Sequence, residues 1–432
     1  MKYFSTKNEV SPVSFQEAIF KGLPADNGLF MPEQIPVLPS SFFDGISNLT
    51  LPEIGFEVIR PFVDGEIPDS DLKKIIEDTL SFDIPLVKIK DGVYSLELFH
   101  GPTLAFKDVG ARFLARSLSY FTKQKEQKLT VLVATSGDTG SAVANGFYNV
   151  PNIEVIILYP SGKVSTFQEQ QMTTLGGNIT ALEVDGTFDD CQKLVKEAFL
   201  DEELRTSKNL TSANSINMAR LLPQSVYYFH AWAQLTSDEK KNAVFSIPSG
   251  NYGNLSAGLI AQRMGLPVKH FLACSNANDT VPHYLWNGEF EPKPSIETIS
   301  NAMDVGNPSN FVRMLHLFGG NHSNMTDKIT GYAYTDESTR STIQKTFALT
   351  GYTLDPHGAV GYMGLADYQN SHKVTGIVLE TAHPVKFNQT VEEEIGIKVP
   401  LPSHVESTNL EKKSISFSKD FGDFKNFLKD TY

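Results

Sequence analysis

The stretch TVLVATSGDTGS, residues 130–141, decides the fold prediction. Its first half, Thr130–Ala134, is a continuous apolar run typical of a buried strand, and its second half is a turn of small residues that opens a helix after Thr139. The same order of strand, turn and helix recurs along the chain. Strands that alternate with helices indicate βαβ units, because a parallel neighbour can be reached only through a crossover. The sequence therefore predicts an α/β fold with parallel sheet.

Further apolar runs extend this pattern in both directions. The other predicted strands are Tyr94–Phe99, Glu154–Tyr159, Ile179–Val184, Ala243–Ile247, His270–Cys274 and Val374–Glu380. Helices are predicted after Lys107, after Ser165, after Phe188, after Asn254 and around Ser341–Leu349. Ligands of open parallel sheets bind beyond the carboxyl ends of the strands. We therefore expect functional residues directly after these strands.

The chain divides into three predicted regions. Residues 1–82 contain short helices and turns and end in the amphipathic stretch DLKKIIEDTL, which indicates a separate N-terminal helical domain. Residues 83–400 carry the strand and helix units, with an irregular insertion near residues 276–335 where turn residues are frequent. Residues 401–432 form a predicted C-terminal tail.

Composition narrows the classes of partner. Fifty acidic residues against 37 basic ones give a net charge of −13, which repels nucleic acids and anionic lipid surfaces, and we expect neither as a partner. No apolar run approaches the length of a membrane span, and the N-terminus lacks the apolar core of a signal peptide, so a cytoplasmic location is expected. Cys191 and Cys274 form no CxxC motif, which favours reduced thiols over a disulfide or a zinc site.

One lysine has a setting suited to covalent chemistry. In ELFHGPTLAFKDVGARFLAR, residues 97–116, Lys107 stands at a predicted helix start among apolar residues. The helix dipole and burial both disfavour its charge, which would lower its pKa. A lysine with a lowered pKa suits Schiff-base formation. The alternative is a surface lysine paired with Asp108.

Two turns that follow predicted strands could bind anions. TSGDTGS, residues 135–141, and SIPSGNYGN, residues 246–254, both place small residues and free N–H groups at a helix start. In the second turn, Gly250 and Gly253 allow the backbone to approach an oxyanion closely. Neither GxxxxGK[ST] nor GxGxxG occurs, so a P-loop and the usual dinucleotide fingerprint lose support. The alternative for the first turn is a simple helix cap.

A third candidate for anion binding is NSINMARLLPQ, residues 214–224. A helix from about Ile216 would place Asn217 and Arg220 on one face, with Asn214 and Ser215 at its N-terminus. The two-pronged donors of Arg suit phosphate or carboxylate. The alternative is an N-capped helix with an ordinary surface Arg.

The last predicted strand leads into LETAHPVKF, residues 379–387, where the hydroxyl of Thr381 closes the strand. We expect His383, in the same stretch, to have a structural role. No HExxH, paired-His metal spacing or GxSxG occurs in the chain, so no metal and no serine-hydrolase site are expected.

Four of these motifs, HGPTLAFKDVG, ATSGDTGSA, NSINMAR and PSGNYGN, together resemble a known family in order and spacing. The chain is similar to the pyridoxal-phosphate enzymes of the tryptophan-synthase-β type (fold type II), and within them to the threonine synthases of bacteria and fungi. The resemblance extends over nearly the whole chain. It implies two lobes of parallel or mixed sheet with pyridoxal 5′-phosphate between them, preceded by a helical domain.

The resemblance also implies roles for individual residues. Lys107 would join the cofactor through a Schiff base, and Thr381 would face the pyridine nitrogen. The implied cofactor-phosphate loop comprises Gly250, Asn251, Tyr252, Gly253 and Asn254. The implied substrate-binding residues are Ser136, Gly137 and Thr139 for the carboxylate and Asn214, Ser215 and Arg220 for the phosphate. Asp138 would lie at the cofactor, where many relatives have an Asn that donates to the 3′ oxygen. Its role is open, because an ionised Asp cannot donate.

The implied activity is that of a carbon–oxygen lyase in threonine biosynthesis, which converts O-phospho-L-homoserine and water to L-threonine and phosphate. This reaction needs two phosphate sites, and the sequence offers two, whereas a simple dehydratase needs one. One alternative is a phospho-lyase that yields 2-oxobutyrate from a phosphorylated hydroxy amino acid. Another is a non-catalytic metabolite-binding relative, against which the intact Lys107 argues. A monomer and a homodimer are both compatible with the sequence.

Overall fold

The computed structural model describes residues 1–63, 65–123, 128–405 and 411–431 and has the predicted α/β character. The strands are β1 (Tyr3–Ser5), β2 (Phe30–Pro32), β3 (Leu86–Lys90), β4 (Val93–Glu97), β5 (Leu129–Ala134), β6 (Ile153–Pro160), β7 (Ile179–Val184), β8 (Leu210–Ser212), β9 (Ala243–Pro248), β10 (His270–Ser275), β11 (Ile329–Ala333), β12 (Thr375–Glu380) and β13 (Ser414–Phe417). All seven predicted strands are present, with small shifts at their ends.

Helices follow most of these strands. The helices are α1 (Phe15–Lys21), α2 (Ser40–Gly45), α3 (Leu51–Val63), α4 (Asp69–Thr79), α5 (Lys107–Thr122), α6 (Asp138–Phe147), α7 (Thr166–Thr173), α8 (Phe188–Leu200), α9 (Glu202–Ser207), α10 (Met218–Leu221), α11 (Ser225–Ala233), α12 (Ser237–Lys240), α13 (Gly253–Arg263), α14 (Thr280–Asn287), α15 (Phe311–Leu317), α16 (His322–Thr326), α17 (Asp336–Thr350), α18 (Pro356–Gln369), α19 (Asn388–Ile395) and α20 (Phe421–Thr431). Short 3₁₀ turns occupy Ile46–Asn48, Leu222–Gln224, Asn301–Met303 and Pro384–Phe387. Among the described residues, none of the helices is both long and apolar enough to cross a membrane.

The strands form two main sheets. One sheet has the order β11-β10-β9-β12-β4-β3 and is parallel except for β3, which runs antiparallel to β4. The other has the order β13-β7-β6-β5-β8 and is parallel throughout. β1 and β2 form a separate antiparallel pair near the N-terminus. The prediction of two lobes with parallel or mixed sheet is confirmed.

Apolar runs predicted the buried strands and missed the edge strands. Every residue of β5 and β9 is buried, as expected for parallel strands covered on both faces. β3, by contrast, lies at a sheet edge and exposes Lys88 and Lys90, which removes the continuous apolar signal. β13 is also an edge strand with little burial.

The predicted N-terminal helical domain is present as α1–α4. Its side chains belong to one continuous hydrophobic core with both sheets, in which Phe15 and Ile54 lie in the same cluster as Val131 and Phe245. The carbonyl of Ile19 on α1 accepts a hydrogen bond from the hydroxyl of Thr211 in β8 over 2.9 Å. The N-terminal helices thus support the sheet that contains β8.

Two regions are more regular than the sequence suggested. Residues 276–335, predicted as an irregular insertion, contain α14, α15, α16 and β11, and residues 288–300 alone form a long stretch without helix or strand. β11 escaped prediction because Gly331 interrupts its short apolar run. A glycine is required there, since an added Cβ would stand 2.8 Å from the Cα atom of Pro282. In the predicted tail, β13 pairs with β7 and α20 packs beside it, while residues 406–410 lie outside the described residues.

Candidate active site

One cleft collects the residues that follow the parallel strands. Its volume is about 880 Å³, including space open to solvent. Segments after β5, β8, β9 and β12 and the first residue of α5 line it, as expected for ligand sites in open parallel sheets. Of the predicted site residues, the cleft brings together Lys107, Ser136, Asp138, Thr139, Asn214, Ser215, Arg220, Gly250, Asn251, Tyr252, Gly253, Asn254 and Thr381.

Gly137 is the predicted site residue that does not line this cleft. Its φ is +136°, and an added Cβ would stand 2.6 Å from the side-chain Cδ of Gln168. Its N–H donates to the hydroxyl of Thr135 over 2.9 Å. Gly137 therefore shapes the turn before α6, and its backbone N–H already has a partner within the protein.

Lys107 begins α5 and reaches into the cleft with 15% of its side chain exposed. Burial lowers the pKa of Lys107 to about 8, helped by the positive charges of Lys386 and Arg220 and opposed by Asp138. The alternative of a surface pair with Asp108 is wrong, since Asp108 is buried and accepts hydrogen bonds from the N–H and hydroxyl of Thr103.

Asp138 carries a charge that the protein itself neutralises. Its Oδ2 atom lies 3.9 Å from Nζ of Lys107, and its Oδ1 atom lies 2.8 Å from Nζ of Lys386. Gln168 Nε2 also donates to Oδ1 over 2.8 Å. Burial alone would raise the pKa of Asp138, but Lys386 and Lys107 outweigh it and hold that pKa well below its usual range.

The loop after β9 offers backbone N–H groups. Within the part of the chain that the structure describes, the N–H groups of residues 250–254 donate no hydrogen bond. They lie at the start of α13, where the helix dipole favours an anion. An added Cβ at Gly250 would stand 2.6 Å from Cα of Met303, so the loop passes very close to that neighbour. The loop therefore has the form of a phosphate cradle.

Side chains of the same loop are turned toward protein partners. Asn251 Nδ2 donates to the hydroxyl of Ser215 over 2.6 Å, and Asn254 Nδ2 donates to the carbonyl of Pro248 over 2.9 Å. Tyr252 has a left-handed backbone with φ of 58°, and its buried ring points away to a hydrogen bond with Ser275. These contacts fix the loop and leave its backbone N–H groups available to an anion.

A second candidate anion site lies beside the first. The Ser215 hydroxyl oxygen accepts from Asn251 and, over 3.3 Å, from Asn310, so its own hydrogen is available to a ligand. Arg220 is buried and binds the Ala213 carbonyl, while its Nε has no partner among the described residues. Burial lowers the pKa of Arg220 to about 10, which still leaves it a cation at neutral pH. A buried cation with an unused donor calls for an anion.

The segment around this second site departs from the sequence prediction in one respect. The helix α10 begins at Met218, and Asn217 is its N-cap. The amide of Asn217 donates to the carbonyls of Ile19 and Ser212, each over 3.0 Å, so it faces the N-terminal helices and does not share a face with Arg220. Asn214 Nδ2 donates to the carbonyl of Ala134 over 2.8 Å, which ties this segment to the end of β5.

The stretch after β12 contributes two further residues. Thr381 lines the cleft, and its hydroxyl has no hydrogen bond to the described residues. His383 accepts a hydrogen bond from the N–H of Val385 over 3.1 Å, and burial lowers its pKa to about 4. A neutral His383 that caps a 3₁₀ turn agrees with the expected structural role.

Sequence reasoning missed several residues around the cleft. Lys386, Gln168 and Arg313 are wholly buried and polar, and His357 lines the cleft with its Nδ1 2.5 Å from Asp355. Lys386 had a usable signal, because it stands in the stretch after β12 where functional residues are expected. Gln168 and Arg313 had none, since they lie on helices far from the quoted motifs.

Three family models together match nearly the whole chain. The family model described as "Pyridoxal-phosphate dependent enzyme" matches residues 83–379. Models described as "Threonine synthase N terminus" and "Threonine synthase, C-terminal" match residues 2–80 and residues 358–427.

Individual relatives agree with the family models. The threonine synthase of Haemophilus influenzae is 46% identical over 429 residues, which is 99% of each chain, and that of Escherichia coli is 44% identical over 98% of this chain and 97% of the relative. The crystal structure of the E. coli threonine synthase superposes with a TM-score of 0.94 at 42% identity and covers all of both chains. A PLP-bound threonine synthase from Brucella melitensis gives a TM-score of 0.92 at 33% identity over 99% of both chains. On these matches, the chain belongs to the threonine synthase family of pyridoxal-phosphate-dependent enzymes.

Proposed function

We propose that this chain converts O-phospho-L-homoserine and water to L-threonine and phosphate. The observation that carries the proposal is a pair of candidate anion sites in one cleft with a buried lysine. The loop at residues 250–254 supplies one site, Ser215 and Arg220 supply the other, and the amide of Asn251 connects them. A phosphorylated cofactor and a phosphorylated substrate together need two such sites.

The first site fits pyridoxal phosphate. Free N–H groups at the start of α13 suit the cofactor phosphate, Lys107 is the amine within the same cleft, and the hydroxyl of Thr381 is available to the ring nitrogen. A neutral hydroxyl does not favour a protonated ring, unlike a carboxylate. When bound, pyridoxal phosphate supplies a conjugated ring that accepts the electrons released at the substrate Cα.

Lys107 moves the protons in this proposal. With a pKa of about 8, roughly one-tenth of its amine is neutral at pH 7 and about half at pH 8, which suits a group that must both take and return protons. It would act first at Cα and then at Cβ of the substrate. Asp138, 3.9 Å away, stabilises the ammonium form that exists between these transfers.

The second site binds the group that leaves. Arg220 and Ser215 would hold the phosphate of the substrate, and the buried cation would stabilise the charge that grows as the bond from Cγ breaks. The turn at Ser136 and Thr139 would hold the substrate carboxylate at the start of α6.

The test is phosphate release from O-phospho-L-homoserine by the purified protein with pyridoxal phosphate. Threonine formed in equal amount is the expected result. Ammonia and 2-oxobutyrate as main products would instead indicate a phospho-lyase, and no turnover would overturn the proposal. Borohydride reduction followed by peptide mapping should place a pyridoxyl group on Lys107, and an adduct on another lysine would contradict its assigned role.

A further inference from the structure

A second lysine is buried beside the reacting one. The side chain of Lys386 is 0% exposed and stands in the short turn after β12. Its Nζ atom lies 2.8 Å from Oδ1 of Asp138 and donates to the carbonyl of Thr103 over 2.7 Å. Thr103 belongs to the loop that leads into Lys107, so one ammonium group joins that loop to the start of α6.

This contact determines which oxygen of Asp138 faces Lys107. Lys386 and Gln168 both bind Oδ1, each over 2.8 Å, and the bond to Lys386 is an ion pair. The other oxygen, Oδ2, lies 3.9 Å from Nζ of Lys107. A carboxylate fixed on one oxygen by two donors cannot rotate freely, and its charge is already balanced by one cation.

We propose that Lys386 is a positioning residue for the reacting amine, because its ion pair with Asp138 holds Oδ2 beside Lys107 as an anion already balanced by another cation. Lys107 can then lose its proton without leaving the carboxylate as a lone buried charge, which would be costly. An Asp at position 138 would then act as a counter-ion, since Oδ2 lies 3.9 Å from the nitrogen of Lys107, beyond hydrogen-bond distance, and has no proton to donate. It rests on the proposed function only through the assignment of Lys107.

Charges facing this nitrogen come from several elements. Asp138 lies on α6, Arg220 on α10 and Lys386 on the turn after β12, and His357 of α18 acts on Asp138 from the cleft wall. Two of these, Asp138 and Lys386, form a pair of opposite sign. Removing one member should therefore shift the proton affinity of the nitrogen in the direction opposite to removal of the other.

The experiment is a pH titration of the visible absorbance of the holoenzyme, which reports the proton on the nitrogen that joins the cofactor to Lys107. Lys386→Met should raise the midpoint by roughly one pH unit, because Asp138 would then have that nitrogen as its main counter-ion. Asp138→Asn should lower the midpoint. The double variant should fall between the two single variants.

Further variants keep the test decisive. Lys386→Gln retains a donor between Asp138 and Thr103 without the charge, so its midpoint should also shift upward. This variant replaces Lys386→Met if the Met variant fails to fold. Lys425→Met removes a lysine ion pair of equal length, 2.8 Å to Asp201, on α20, and should leave the midpoint unchanged. A midpoint that stays constant or falls in both Lys386 variants would overturn the proposal. If borohydride reduction places the pyridoxyl group on a residue other than Lys107, the proposed function is wrong, and this outcome is distinct from a failure of the role of Lys386.

Discussion

The amide of Asn251 donates to the hydroxyl of Ser215 over 2.6 Å and so joins the two anion sites. The backbone of Asn251 belongs to the loop proposed for the cofactor phosphate, while Ser215 belongs to the site proposed for the substrate phosphate. The Oδ1 atom of Asn251 is held in turn by the N–H of Ser309. The separation of the two proposed phosphate sites is therefore set by one fixed side chain.

This connection predicts energetic coupling between the sites. Asn251→Ala should raise KM for O-phospho-L-homoserine although its side chain lies on the cofactor loop. A hydrogen bond of this kind contributes about 1 kcal/mol, or roughly fivefold in KM. In a double-mutant cycle with Ser215→Ala, the combined loss should be smaller than the sum of the single losses. Strictly additive effects would show that the two residues act independently.

The buried setting of Lys107 predicts how cofactor incorporation depends on pH. Its pKa is lowered to about 8, so the nucleophilic neutral amine becomes dominant above that pH instead of near the ordinary lysine value. The rate at which the apo-protein takes up pyridoxal phosphate should rise with pH, reach half of its maximum near pH 8 and level off above about pH 9. The check is a stopped-flow absorbance series from pH 6 to 10.

The control for this prediction is a blocked lysine in free solution, whose reaction with pyridoxal phosphate should keep accelerating beyond pH 9. A protein rate that also climbs steadily to pH 10 would contradict the lowered pKa. Lys107→Ala should abolish the covalent phase altogether and leave at most weak binding through the phosphate loop.

Arg313 is another buried cation, and it binds the segment that carries the proposed substrate site. Its guanidinium donates to the carbonyls of Phe30 and Ile216, over 3.1 and 2.6 Å, and to Asn310 over 2.6 Å. Arg313→Met would leave these acceptors unpaired in the core, which should cost about 2 to 4 kcal/mol in the free energy of unfolding. Urea denaturation measures this loss, and KM for the phosphorylated substrate should rise as well.

A matched control for Arg313 is Arg340, which forms ion pairs with Glu393 and Glu394 at 36% side-chain exposure. Solvent screens such pairs, so Arg340→Met should change the free energy of unfolding by less than about 1 kcal/mol. Equal losses in the two variants would show that the hydrogen bonds of Arg313 carry no special weight.

The sequence predicted those parts of the site that are local in the chain. Lys107 at a helix start, the small residues at 250–254 and Thr381 after β12 each lie within a few residues of the element that positions them. Arg313 could not be found in this way, because its hydrogen bond to Phe30 spans 283 positions. Lys386 stands in the quoted stretch after β12, but its pairing with Asp138 on the other lobe could not be read from that stretch. Their function depends on which distant acceptors the fold brings to them, and no local pattern encodes that.

The two glycines of the cofactor loop should respond differently to the same change. An added Cβ at Gly250 would stand 2.6 Å from the backbone of Met303, whereas at Gly253 the nearest atoms are 3.5 Å away. Gly250→Ala must therefore displace the loop, and we expect a loss of about 1 to 3 kcal/mol in stability and at least tenfold weaker cofactor binding. Gly253→Ala should keep wild-type stability in thermal unfolding of the apo-protein, because its methyl group meets ordinary contact distances. If Gly250→Ala is equally stable and binds the cofactor normally, the backbone of this loop does not form the phosphate cradle.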